Sequence, residues 1–193
     1  IDIFTHIIPE RYKKELARYT SHSEKSRRML AGAEAISNLE TRFRIMDQYE
    51  DYIQVITVSG GPIEAVARGR DAVELARVCN DEAAALVAKY PTRFLCGVAN
   101  LPLDDPDAAL KELDRAVNVL KLKGIVLHTP LYFLGEDLQP PQRGKPLDSP
   151  ELIPVYARMA EYNLPIWIHP NPLCDARIPD YGNETEAKYC GWQ

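Results

Sequence analysis

Five short runs of apolar, β-branched residues divide this chain: Ile1 to Ile3, Ile53 to Val58, Phe94 to Ala99, Gly124 to Leu127 and Pro165 to Ile168. Each reads as a buried strand. The stretches between them carry helical patterns. Strands buried on both faces and joined by helices pair in parallel through right-handed crossovers, which leaves an open doubly wound sheet or a (β/α)8 barrel. Pattern alone does not choose between these. A doubly wound sheet usually carries a glycine-rich phosphate turn after its first strand, whereas here the first strand runs into Thr5-His6-Ile7-Ile8-Pro9.

Two helices announce themselves by their start signals, Asp105-Pro106 and Ser149-Pro150, where a capping side chain precedes a first-turn proline. Between Asp105 and Leu120, Leu110, Leu113, Val117 and Leu120 recur at steps of three and four, predicting one packed face with Lys111, Glu112, Asp114 and Arg115 largely outside. From Ser149 to Tyr162, Leu152, Val155, Tyr156 and Met159 repeat that logic, and Asn163 is placed to end the helix in a left-handed conformation. The proline- and glycine-containing stretch from Leu131 to Leu147 reads as a long connection after the fourth strand. On a barrel it lies at the C-terminal mouth, where sites are built.

Composition narrows the function classes. With 46% hydrophobic and 26% charged residues over 193 positions the chain has ordinary globular usage. A net charge of -5 provides no basic field to gather phosphates, which argues against nucleic acid as a partner. No run approaches the roughly 18 apolar residues of a membrane span, and no membrane partner or secretory leader is expected. The reading is cytoplasmic. Cys79, Cys96, Cys174 and Cys190 have no C-x-x-C spacing and are expected to be reduced packing residues, although Cys174 and Cys190 fall near a candidate metal ligand.

Histidine is scarce, four in the chain, and three of them, His6, His128 and His169, lie at the C-terminal ends of expected strands. His22 sits in a polar stretch and reads as a solvated bystander. In a parallel barrel the strand ends converge on one mouth, so residues far apart in sequence become neighbours. Imidazole nitrogen suits a divalent transition ion, and catalytic sites usually gather three protein ligands while leaving room for water or substrate. Taken singly, each histidine is more often a satisfied core or loop residue; three at equivalent strand ends point to a site.

The opening Ile1-Asp2-Ile3-Phe4-Thr5-His6 resembles the D-x-H-x-H strand-one signature of the amidohydrolase superfamily, with Phe4 in place of the first histidine. Arg44-Ile45-Met46-Asp47, Tyr90-Pro91-Thr92-Arg93-Phe94, Gly144-Lys145-Pro146-Leu147-Asp148 and Leu164-Pro165-Ile166-Trp167-Ile168-His169-Pro170 follow in the order seen in the aminocarboxymuconate-semialdehyde decarboxylase-like branch. Gly191-Trp192 looks like the start of that branch's next helix. The resemblance implies that residues 1–193 are the N-terminal part of a single (β/α)8 TIM barrel, covering strands one to five and truncated before the rest.

It also implies a site. His6 and His169 become metal ligands, with Asp2 a candidate to replace the histidine lost at Phe4, while His128 and Asn171 become substrate-binding residues. The ion is one divalent metal, zinc first and manganese second. The expected acid/base Asp and His lie beyond Gln193. Three functions stay open: a metal-dependent decarboxylase of a small carboxylated aromatic or muconate-like substrate, an amidohydrolase-type hydrolase, or a non-catalytic barrel subunit that has lost its metal. The expected partners are a small carboxylate and either a second copy in a homodimer or a chain that completes the barrel.

Overall fold

The computed structural model describes residues 1–20, 34–131, 133–134 and 145–170. All five expected strands form: β1 (Asp2–Ile7), β2 (Gln54–Val58), β3 (Phe94–Val98), β4 (Ile125–Thr129) and β5 (Ile166–Pro170). Six α-helices lie among the described residues: α1 (Glu10–Thr20), α2 (Glu34–Ser37), α3 (Leu39–Met46), α4 (Gly69–Lys89), α5 (Pro106–Asn118) and α6 (Ile153–Tyr162). Three strands run past their expected ends. β1 extends through His6 because Thr5, His6 and Ile7 pair in register with Ile56, Thr57 and Val58. β4 and β5 extend to Thr129 and Pro170 because His128 and His169 face one another in register.

The strands are parallel and follow chain order. β1 pairs with β2, β2 with β3, and β4 with β5. A parallel bridge from Ala99 to Ile125 joins the third to the fourth, carried by Ala99 N–H to the Gly124 carbonyl and Val126 N–H to the Ala99 carbonyl, both 2.9 Å. A doubly wound sheet reverses its order about the first strand; this one does not.

Side chains alternate across each strand. Ile7, Ile56, Val58, Ile125 and Leu127 point to one side and join Leu16, Leu75, Ala76, Leu113, Val155 and Met159 of the helices in the main core; Phe94 joins them because the β2–β3 register shifts between the Gln54–Phe94 and Val55–Cys96 pairs. Val55, Val98 and Val126 point to the other side and pack with Cys96 and Trp167 in a second cluster. Here the sheet curls upon itself, since the Trp167 indole N–H of β5 donates to the Ile3 carbonyl of β1 at 2.8 Å.

The helix starts are partly as read. Asp105 caps α5 by accepting from Ala108 N–H at 3.0 Å, and Asn163 ends α6 with φ 51. Ser149 does not cap: its hydroxyl donates to the Pro146 carbonyl, and a 3-10 turn at Pro150–Leu152 leads into α6. Glu112, expected on the outer face of α5, is buried. It is satisfied there by Arg115 and by the Asn80 amide at 2.7 Å, and Asn80 in turn holds both the N–H and the carbonyl of Asn100 at the end of β3.

Gly124 opens β4 against the fifth strand, where a Cβ would lie 2.5 Å from both the Pro165 carbonyl oxygen and the Trp167 ring. The carbonyl belongs to backbone and has no rotamer with which to yield. Gly124→Ala should therefore destabilise the fold by about 1–3 kcal/mol, as overpacking does, read from the shift in urea midpoint; an unchanged midpoint would contradict this account of the β4–β5 contact.

Candidate metal centre at the strand ends

One alternation step beyond the valine and tryptophan layer, the inner face changes character. Val55 is followed two residues on by Thr57, Val126 by His128 and Trp167 by His169, and on β1 the corresponding residue is His6, opposite Thr57 in register. The three histidines come together here. The ring centroids of His6 and His169 are 5.0 Å apart, and those of His128 and His169 are 5.2 Å apart.

Hydrogen bonding decides which nitrogen of each ring is free. The Thr57 hydroxyl donates its one proton to the Thr5 carbonyl at 3.0 Å, so its oxygen accepts from His6 Nδ1–H at 2.8 Å. His169 Nδ1 faces the Pro170 carbonyl, which can only accept, so this ring also carries its proton on Nδ1. With Nδ1 engaged on both rings, Nε2 of each is turned toward the other, and the two Nε2 atoms lie 3.1 Å apart. Two lone pairs at that distance repel unless a proton or a cation sits between them. Two imidazole nitrogens bound at 2.0–2.1 Å to one tetrahedral ion would be about 3.3 Å apart, so the pair fits a metal.

A proton is the weaker candidate. Burial, then His169 and Arg42, lowers the His6 pKa to about 4, and burial, then His169 and His6, lowers that of His128 to about 3. Near neutral pH both rings are uncharged, the form that a metal requires. Among the described residues no group of three or more His, Cys, Asp or Glu side chains is placed to hold an ion; the described part supplies a pair of nitrogens.

The other expected site residues sit differently. Asp2 lies at the opposite end of β1, about 13 Å from His6 on a strand rising about 3.3 Å per residue. Its carboxylate accepts from the Tyr52 hydroxyl at 2.7 Å and from Phe4 N–H at 3.2 Å. Asn171, His22, Cys174 and Cys190 lie outside the described residues, while Cys79 and Cys96 are free thiols. Of the long connection after β4, an antiparallel bridge ties Leu131 to Lys145.

Two residues at this site were not singled out by the sequence. Thr57 orients His6, and its signal was a polar residue at an inward position of an otherwise apolar strand. Arg42 is buried on α3 and donates to the His6 carbonyl, to Gln54 Oε1 at 2.6 Å and to the Ala35 carbonyl at 3.0 Å, fixing the backbone at the ligand. A cavity of about 670 Å³ runs beside these groups, lined by His6, Arg42, Ile45, Tyr52 and Gln54. Of the three clustered histidines, His6 lines it and His128 and His169 do not. In the connection after β2, Glu64 is buried with Oε1 unpartnered, and its pKa is raised to about 8, chiefly by burial, so it is held mainly as the neutral acid.

The chain belongs to the amidohydrolase family, which matches residues 1–187. Its relatives place it in the aminocarboxymuconate-semialdehyde decarboxylase-like branch. It is 34% identical over 152 residues to a gamma-resorcylate decarboxylase of Rhizobium sp. (strain MTP-10005), covering 73% of this chain and 42% of that protein. To the 2-amino-3-carboxymuconate-6-semialdehyde decarboxylase of Dictyostelium discoideum it is 25% identical over 197 residues, covering 94% and 52%. Among solved structures, a 2,6-dihydroxybenzoate decarboxylase from Rhizobium superposes with a TM-score of 0.70 at 27% identity, covering 93% of this chain and 53% of that one. The same figures hold for a structure of that enzyme name complexed with 2,6-dihydroxybenzoate. The chain spans about half the length of the relatives it matches.

Folded His128 titrates near 3, against about 6.5 in an unfolded chain. On acidification the unfolded state therefore takes up this proton first, and stability falls as pH drops from about 6.5 towards 3. Without added metal, His128→Asn should remove on the order of 1–2 kcal/mol of the stability difference between pH 7 and pH 5. Urea unfolding at the two values measures it, and an equal pH slope in both proteins would refute the assignment.

Proposed function

We propose that the protein is a metal-dependent decarboxylase of a small carboxylated aromatic substrate. The observation that carries this is the convergence of two Nε2 lone pairs, on His6 and His169, each ring with its proton engaged at Nδ1. Further support comes from the names of the relatives, which are decarboxylases of gamma-resorcylate and of 2-amino-3-carboxymuconate-6-semialdehyde, and from the solved relative that binds 2,6-dihydroxybenzoate. We place the site in a closed (β/α)8 barrel, with residues 1–193 as the N-terminal part of that one domain.

His6 and His169 hold the ion, zinc or manganese. When bound, it supplies Lewis-acid polarisation of the substrate's carboxylate or hydroxyl oxygens. Thr57 and the Pro170 carbonyl keep the two rings turned inward by accepting their Nδ1 protons, the supporting role usual around metal-bound histidine. His128 lines the substrate pocket as a neutral ring, and Asn171 is assigned a substrate contact. In the reaction a proton is delivered to the carbon that carries the carboxylate. The bond from that carbon to the carboxylate then breaks, its electron pair stays with the ring and carbon dioxide leaves, with no net oxidation. We assign the proton donor to an Asp and its partner His beyond Gln193.

No described helix is long and apolar enough to cross a membrane; we infer a cytoplasmic protein that works as a homodimer. A second reading, a binding subunit without metal, is favoured by Phe4, which stands where the first strand-one ligand of the family would be. Elemental analysis separates the two. The intact protein should carry about one zinc or manganese per chain, His6→Ala and His169→Ala should lose it, and the native protein should release carbon dioxide from 2,6-dihydroxybenzoate. Folded native protein that holds no ion after reloading would refute the metalloenzyme; an ion without carbon dioxide release would refute the decarboxylase and favour a hydrolase.

A further inference from the structure

Phe4 shares the inner face of β1 with His6, two residues before it, and its ring meets the rings of His6 and His169 edge-on. The centroid distances are 5.4 Å to His6, with the planes at 72°, and 5.7 Å to His169, at 88°. Phe4 thus touches imidazoles contributed by strands at the two ends of the described sheet. Its own backbone is tethered, Phe4 N–H donating to Asp2 Oδ1 at 3.2 Å. A phenyl ring has no lone pair to offer an ion. It can still block rotation of both imidazoles, and it keeps an apolar wall on one side of the gap between the two Nε2 atoms, which are 3.1 Å apart.

We propose that Phe4 is a positioning residue of the metal centre: it replaces a β1 ligand with an apolar clamp on His6 and His169, leaving the ion one coordination position more open to substrate oxygens. This rests on the metal reading above. It goes beyond that reading in assigning Phe4 a role, and in predicting a centre with fewer protein ligands than a D-x-H-x-H strand would provide. The two functions of the side chain, subtracting a ligand and holding two others, can be separated by substitution. Phe4→His keeps a flat ring of similar size and adds a donor nitrogen. Phe4→Ala removes the clamp and adds no donor.

The test uses manganese(II) with the intact protein, with affinity read by chelator competition and exchangeable water on the ion by proton relaxation. Phe4→His should bind manganese about tenfold or more tightly, with less exchangeable water, as an added ligand displaces solvent. Phe4→Ala should bind about 10–100-fold more weakly, the usual cost of losing a group that orients a ligand. Phe4 is 37% exposed, so both variants should fold, and circular dichroism checks this. If the native protein binds manganese and neither variant differs from it, the inference falls while the metal reading stands. A null result for Phe4→His alone overturns the ligand subtraction, and one for Phe4→Ala alone overturns the clamp. If only Phe4→His binds manganese, the native metalloenzyme is refuted and the inference falls with it.

Discussion

The central strands β2, β3 and β4 carry apolar side chains on both faces, and only one face of each meets the described helices. Ile56, Val58, Ile125 and Leu127 take that side and close against α4, α5 and α6. On the remaining face Val55, Val98 and Val126 pack with Trp167, and no helix among the described residues joins that cluster. The curl of the sheet lets the Trp167 indole reach the Ile3 carbonyl. The site follows from the same geometry, because whatever stands one step beyond this layer on β1 and β5 is carried into contact across the interior.

What stands there is a pair of imidazoles with their protons engaged elsewhere. A histidine pair on a solvated surface would resolve its electrostatics by taking up a proton between the rings. Here burial opposes the charge on His6, and His128 beside His169 is held neutral more strongly still. Thr57 and the Pro170 carbonyl select the tautomer that points Nε2 inward. The lone-pair repulsion that results is the kind of local conflict that folded chains retain at functional sites and relieve with a ligand.

Much of this was legible in the chain, for identifiable reasons. Apolar β-branched runs and helix start signals marked the elements, since backbone propensity and alternation act locally. His6, His128 and His169 were marked by their positions at strand ends. Asp2 shows the limit of such reading, because proximity in sequence is not proximity along an extended strand, and its carboxylate is engaged by Tyr52 at the far end of β1. Glu112 shows another limit. A charged residue at an outward helical position is buried because Arg115, one turn on, and Asn80 of α4 satisfy it, and no periodicity reports the contact with Asn80.

The sequence by itself determined that strands and helices alternate and that imidazoles stand at three strand ends, because these depend on residue type and short-range spacing; the expected burial on both faces holds for β2 and β4, whereas Ile3 of β1, Leu95 of β3 and Ile168 of β5 are exposed. Tertiary structure decided the sequential strand order, the curl, and the meeting of His6 with His169 across 163 positions of chain. It also decided the partners of Thr57 and Arg42, neither of which has a meaning before β1, β2 and α3 are brought together. The reason is physical: tautomer, desolvation and ring packing are properties of neighbours in space, and only the folded chain supplies them.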